Sequence, residues 1–242
     1  MGGVAFKDED ILAYDTSTSA WSLYFDGSDV GLGQSGLQDV TAFRLMDDGS
    51  ILFSFVAATA VPGLGVVDGS DIVRFIPTTL GTTTDGSFER YFDGSDVGLT
   101  TAAERIDTIG LLPDGRLILS TTGSFSVPGV SGSDEDLVTF TPTSLGANTR
   151  GSWALYFDGS DVGLSSSSED VNGVWADPGS GQIYLTTLGR FSASGLSGDG
   201  ADIFICTPSS LGSTTACTFS MYWDGSRNGF AGETVDGIGI AR

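Results

Sequence analysis

Histidine is absent from the 242 residues, and Lys7 is the only lysine. Without imidazole the usual proton shuttle of neutral-pH catalysis is missing, and a serine or cysteine nucleophile has no histidine base. Basic charge is scarce altogether. Ten Lys and Arg stand against 31 Asp and Glu, a formal net charge of −21. A surface of that sign repels phosphate backbones and argues against a nucleic-acid partner. No apolar run approaches the ~20 residues of a membrane-spanning helix, and no secretory leader is legible at Met1. No stretch carries a helical period either. What the chain has in quantity is glycine, 36 residues of it, with frequent Ser, Thr and Asp. Asp in excess over Glu, with almost no Lys, suits cation binding or solubility in salt.

The glycines and aspartates fall into a repeat. The phrase YFDGSDVGL occupies residues 24–32, 91–99 and 156–164, and a worn copy, YWDGSRNGF, occupies 222–230. The opening Tyr therefore recurs at spacings of 67, 65 and 66 residues. Around it lie four aligned sets of short β-branched or aromatic runs: VTAFRL, IDTIGL, VNGVWA and VDGIGIA; SILFSF, RLILST and QIYLTT; DILAYD, DIVRF, DLVTF and DIFIC; WSLYF, SFERYF, WALYF and FSMYW. Each is bounded by Gly, Asp, Pro or Ser, the signature of a strand. The last set alternates: Trp21, Leu23 and Phe25 share one face, matched by Phe88 and Phe92, by Trp153, Leu155 and Phe157, and by Phe219, Met221 and Trp223. DDG and PDG join the first two runs as tight hairpins.

Four strands per repeat, repeated four times, predict an all-β, four-bladed β-propeller with antiparallel blades over 40–93, 106–158, 171–224, and 235–242 plus 3–26. The strand–PDG–strand–loop–DI-x-x-F pattern resembles blades of TolB-like propellers, and the VDG and IDT openings resemble the inner strands of hemopexin-type four-bladed domains. In the latter the resemblance implies an axial region that holds ions. The fourth repeat stops after its first run, while GGVAFKDEDILAYD at the other end supplies what is missing. The last blade is thus expected to close with one C-terminal and three N-terminal strands, removing open sheet edges. An eight-bladed, strand-exchanged dimer is the alternative closure.

With strands ordered inner to outer, the phrases and the second-to-third loops share one face. The phrases carry Asp26 and Asp29, Asp93 and Asp96, Asp158 and Asp161, and Asp224. The other loops carry Asp8 and Asp10, Asp68 and Asp71, Asp134 and Asp136, and Asp199 and Asp202. Crowded carboxylates repel unless solvated or bridged, and Ca2+ takes six to eight oxygens from such loops. The same letters are also ordinary turn formers, because Asp bonds to its own backbone. In the worn copy Arg227 would oppose a cation. A second set, Thr41, Asp107, Asn172 and Asp236, aligns at the start of the inner strands and is expected to ring the channel, holding a cation or water. The PTTLG, PTSLG and PSSLG loops are expected on the opposite face, with Leu80, Leu145 or Leu211 tucked back. Cys206 and Cys217 both fall in one hairpin near the ends of neighbouring strands, so a disulfide is expected, and with it an oxidising compartment.

These features favour a non-enzymatic, extracellular binding or scaffold propeller. It is expected to be a module of a larger bacterial secreted or surface protein, dependent on calcium, with a protein or glycan partner. Trp175 and Phe43 vary within their aligned sets, so no repeated aromatic platform for sugar emerges. The competing class is a carboxylate-dependent glycoside hydrolase or lyase, which needs two carboxylates of unequal role. Glu89 and Arg90 are peculiar to one repeat but fall on an outer strand. A third reading is a purely structural acidic module adapted to high salt.

Overall fold

Alternating runs bounded by Gly, Asp and Pro become strands throughout the computed structural model, which describes residues 3–33, 36 and 38–240. In chain order the strands are β1 (Ile11–Asp15), β2 (Ala20–Phe25), β3 (Val40–Leu45), β4 (Ile51–Phe55), β5 (Thr59–Val61), β6 (Gly65–Val67), β7 (Ile72–Thr79), β8 (Asp85–Phe92), β9 (Ile106–Leu111) and β10 (Leu117–Thr121). They continue with β11 (Phe125–Val127), β12 (Val130–Gly132), β13 (Leu137–Ser144), β14 (Arg150–Phe157), β15 (Val171–Ala176), β16 (Ile183–Thr187), β17 (Phe191–Ala193), β18 (Leu196–Gly198), β19 (Ile203–Ser210) and β20 (Ala216–Trp223). The described residues contain no α-helix, only single 3₁₀ turns such as Ser28–Val30.

Three four-stranded antiparallel sheets repeat one order: β3-β4-β7-β8, β9-β10-β13-β14 and β15-β16-β19-β20. The second strand of each is buried along its whole length, and the fourth alternates exposed and half-buried residues as its sequence pattern requires. Each sheet also carries a two-stranded hairpin between its second and third strands: β5-β6, β11-β12 and β17-β18. These hairpins were not anticipated, although VPG, VPG and ASG mark their turns.

The fourth sheet differs from expectation. Only β1 and β2 pair there, and neither residues 4–10 nor residues 235–240 form a strand. Ala241 and Arg242 of the expected closing strand lie outside the described residues. The C-terminal segment still packs among the first strands: a side chain at Gly237 would meet the Phe43 ring at 2.7 Å, and Ile238 is buried against Trp175 and Tyr184. Gly237 is therefore demanded by close approach to β3.

Hydrophobic contacts run from sheet to sheet. Ile11 and Phe25 pack with Phe53 and Phe75; Ile72 and Phe92 pack with Ile109 and Phe140; Leu137 and Phe157 pack with Val174 and Phe204. Phe25, Phe92 and Phe157, each the last residue of an outer strand, are fully buried. Each such side chain stabilises the fold by roughly 1.5–3 kcal/mol.

Candidate functional site

Each acidic phrase is a clamp between neighbouring repeats, and nearly every letter of it is used. The first Asp turns the chain: Asp26 Oδ1 accepts from the Ser28 amide and hydroxyl, and Asp93 and Asp158 accept from Ser95 and Ser160. The next Gly has no room for a side chain, since a Cβ at Gly27, Gly94, Gly159 or Gly225 would lie 2.1–2.4 Å from a carbonyl oxygen of the facing loop. Its amide donates to that loop's aspartate, Asp10, Asp71, Asp136 or Asp202, at 2.9–3.2 Å. The second oxygen of each of those aspartates accepts an amide of its own loop. The second Asp of the phrase reaches the following repeat: Asp29, Asp96 and Asp161 accept from the Thr84, Thr149 and Thr215 amides at 2.8–2.9 Å. Those threonine hydroxyls in turn accept from the amides of Asp26, Asp93 and Asp158. Val97 and Val162 are buried, and Leu32, Leu99 and Leu164 almost completely so. The last Gly takes positive φ (84°, 104° and 98° at Gly31, Gly98 and Gly163), a backbone form that favours glycine.

This geometry corrects the placement of the PTTLG-type loops. Their glycine amides, at Gly81, Gly146 and Gly212, donate to the carbonyls of Tyr24, Tyr91 and Tyr156 at 2.8–2.9 Å. Each tip therefore meets the preceding repeat's acidic corner instead of lying on the opposite face. The cause is the length of the hairpin: β7, β13 and β19 run past the ends of their inner partners. Leu80 and Leu145 tuck against the core, while Leu211 is 36% exposed.

The worn phrase is clamped differently. Arg227 pairs with Asp224 at 3.0 Å. Asn228 accepts the Tyr14 hydroxyl at 2.8 Å on its side chain and the Trp21 indole at 3.2 Å on its carbonyl. The indole bond repeats that of Trp153 to the Val97 carbonyl, so β1–β2 sits against the last repeat as β13–β14 sits against the first. Trp21 also stacks on Phe230, centroids 5.5 Å apart.

A second site lies where the first strands converge. Val40, Ile106, Val171 and Val235 donate their amides to the carbonyls of Asp8, Gly69, Asp134 and Gly200. Just inside, Thr41, Asp107, Asn172 and Asp236 line one cavity of about 250 Å³, together with Asp39 and Asp170. The four aligned residues were legible as a set; Asp39 and Asp170 were not, because their equivalents are Arg105 and Thr234 and no repeated letter marks them. Asn172 donates to Asp236 at 2.6 Å. Asp107 is 2% exposed, and neither carboxylate oxygen has a hydrogen-bond partner; Asp170 Oδ1 also lacks one.

Burial raises all four carboxyls. Asp107 stands well above the usual carboxylate range, from desolvation and then from Asp170 and Asp134. Asp170 is pushed up to about 7 by burial, with Asp134 and Glu135 adding repulsion. Asp236 rises to about 6 from burial, against the lowering hydrogen bond of Asn172 and with repulsion from Asp39 and Asp8, and Asp39 rises from burial and then from Asp8 and Glu9. Glu135 rises to about 7 through burial and its neighbours Asp134 and Asp136. These unequal carboxylates carry no signal in the letters, since their differences arise from depth. Among the described residues, no three Asp, Glu or Cys side chains are arranged to hold a metal as they stand.

Cys206 and Cys217 form the expected disulfide, Cα atoms 5.3 Å apart. Glu89 pairs with Arg74 at the surface, and Arg90 with the buried Asp71 and with Asp93. Glu104 and Glu169 stand outside the repeated phrases: each gathers three backbone amides, two from its own turn and one from the inserted hairpin, at 2.8–3.0 Å. No protein-family model matches the chain, and no curated protein matches it in sequence.

Proposed function

We propose that the chain is a four-bladed β-propeller that works outside the cell as a non-enzymatic binding or scaffold module, with a divalent cation, calcium above all, at its axial carboxylate cavity. The ring is supported by clamps at all four junctions: Asp96 to Thr149, Asp161 to Thr215, Asn228 to Trp21 and Tyr14, and Asp29 to Thr84. The extracellular setting is supported by the disulfide. Among the described residues, no helix is long and apolar enough to cross a membrane. The partner is a cell-surface protein or glycan met by the acidic rim.

The observation that carries the cation reading is Asp107, a buried carboxylate whose two oxygens are unpartnered beside Asp39, Asp170 and Asp236. A buried charge without a partner costs several kcal/mol, and a hard cation with retained water supplies the missing partner. The corner aspartates are weaker candidates, because their oxygens are occupied by backbone amides and hydroxyls. The test is a thermal melt at pH 8 in chelator, in millimolar CaCl2, in millimolar MgCl2 and in NaCl of matched ionic strength. Calcium alone should raise Tm, and Asp107→Asn should abolish most of the rise. An equal response to every salt would leave only charge screening.

A glycoside hydrolase or lyase is the second reading, favoured by the unequal carboxyls of Asp170 and Asp236 in one cavity. Release of reducing sugar from acidic polysaccharides, lost in Asp170→Asn, would replace the first reading with this one.

A further inference from the structure

The residue preceding each first strand faces the loop residue that caps that strand's first amide. The four junctions pair Asp39 with Asp8, Arg105 with Gly69, Asp170 with Asp134, and Thr234 with Gly200. Acid faces acid at two opposite junctions, but at one junction the charge is reversed and the facing side chain is deleted. The deletion is required by space: a Cβ at Gly69 would lie 2.7 Å from Arg105 Cγ and 2.8 Å from its Cδ. The Arg105 backbone is fixed on both sides, by Ile106 donating to the Gly69 carbonyl and Thr122 donating to the Arg105 carbonyl.

The arginine so placed has no protein counter-ion. Among the described residues no carboxylate lies within ion-pairing distance of it, and its Nε is buried without a hydrogen-bond partner. In a chain with three acids for every base, a half-buried arginine with no acidic partner is a misfit unless something else completes it. Beside it lies a cavity of about 290 Å³, lined by Asp68, Ser70, Ser95, Thr100 and Thr101 as well as by Arg105 and small apolar residues. That volume is at the lower end for a small-molecule site and suits a single sugar or amino-acid unit.

We infer that this cavity binds a small hydroxylated carboxylate, the chemistry of one uronic acid unit, with its carboxylate on the Arg105 guanidinium and its hydroxyls toward Asp68 and Thr100. The planar fork of arginine matches a carboxylate in a bidentate pair. A doubly charged phosphate or sulfate fits less well, since Asp68 stands in the same cavity and the molecule carries −21. Asp68 has one oxygen engaged by Ser70, leaving the other to accept a sugar hydroxyl. The inference stands on Arg105 and its cavity alone and does not require the axial cation.

The test is titration of the intact chain with sodium glucuronate, followed by calorimetry and by saturation-transfer NMR, with glucose and sodium sulfate as comparison ligands. Glucuronate should bind, with glucose and sulfate each weaker by roughly tenfold or more, as the loss of a charge-assisted bidentate bond implies. Arg105→Gln should lose the same factor, and the native chain should bind glucuronate equally with and without EDTA. Arg105→Lys, which keeps the charge but not the fork, guards against a folding defect and should also bind more weakly while its Tm stays near the native value. Equal binding of glucose and glucuronate, preference for sulfate, unchanged affinity in both arginine variants, or no binding at tens of millimolar would overturn it.

Discussion

Asp107 and Gly94 show how single positions set the energetics. Removing the charge at Asp107 in a chelated sample relieves a buried, unpartnered carboxylate, so Asp107→Asn should raise Tm by roughly 2–4 °C for each kcal/mol relieved, as a melt in EDTA at pH 8 will show. The raised carboxyls also fix the sign of a pH dependence. Asp170 and Asp236 hold their protons more tightly in the folded chain, at about 7 and about 6, than the ordinary value of about 4 in the unfolded one. Their stabilising contribution is therefore complete below about pH 4 and lost as pH rises through about 6 to 7. In chelator the native chain should lose Tm across that window, and Asp170→Asn should lose less. At the corner, Gly94→Ala places a methyl 2.3 Å from the Ser70 carbonyl and should cost about 1–3 kcal/mol in urea unfolding, the range of an overpacked site.

The strand and hairpin scale is where the sequence was most informative. Alternation along WALYF and the PDG turns placed β9, β10, β13 and β14 because period and turn chemistry act locally. The inserted hairpins are hard to read because three-residue strands offer too short a pattern, although VPG in two of them and ASG in the third mark the turns. The PTTLG-type loops were put on the wrong side because a linear pattern does not reveal how far a hairpin overhangs its sheet. The repeated phrase was read as a turn or an ion loop; its use as a bond between repeats depends on Thr84, Thr149 and Thr215, which stand more than fifty residues away. Thr149→Ala removes the hydroxyl that accepts the Asp93 amide and should cost about 1–2 kcal/mol, whereas Thr149→Ser should recover most of it. Within the outermost hairpin of the third sheet, reduction of Cys206–Cys217 should lower stability by about 3 kcal/mol, the loop-entropy value for a crosslink of this span; a melt with and without reductant measures it.

At the scale of the molecule, acidic corners serve chiefly to join repeats, while four further carboxylates, Asp39, Asp107, Asp170 and Asp236, line one cavity. Of the residues lining it, Thr41, Asp107, Asn172 and Asp236 were legible from register, while Asp39 and Asp170 were not, since they break the repeat, as does Arg105 in the neighbouring cavity. A search for repeated letters therefore finds the frame, with Asp107 in it, and passes over the part of the site that departs from the repeat. Everything proposed for the cavity requires that β1–β2 meet the last repeat within one chain. The direct measurement is an isotope-filtered NOE experiment on a mixture of labelled and unlabelled protein, reading contacts of the Trp21 ring with Phe230 and Trp223, whose centroids lie 5.5 and 6.1 Å away. Contacts confined to single molecules are the predicted result; contacts between differently labelled copies, or none at all, would contradict the closed four-repeat ring.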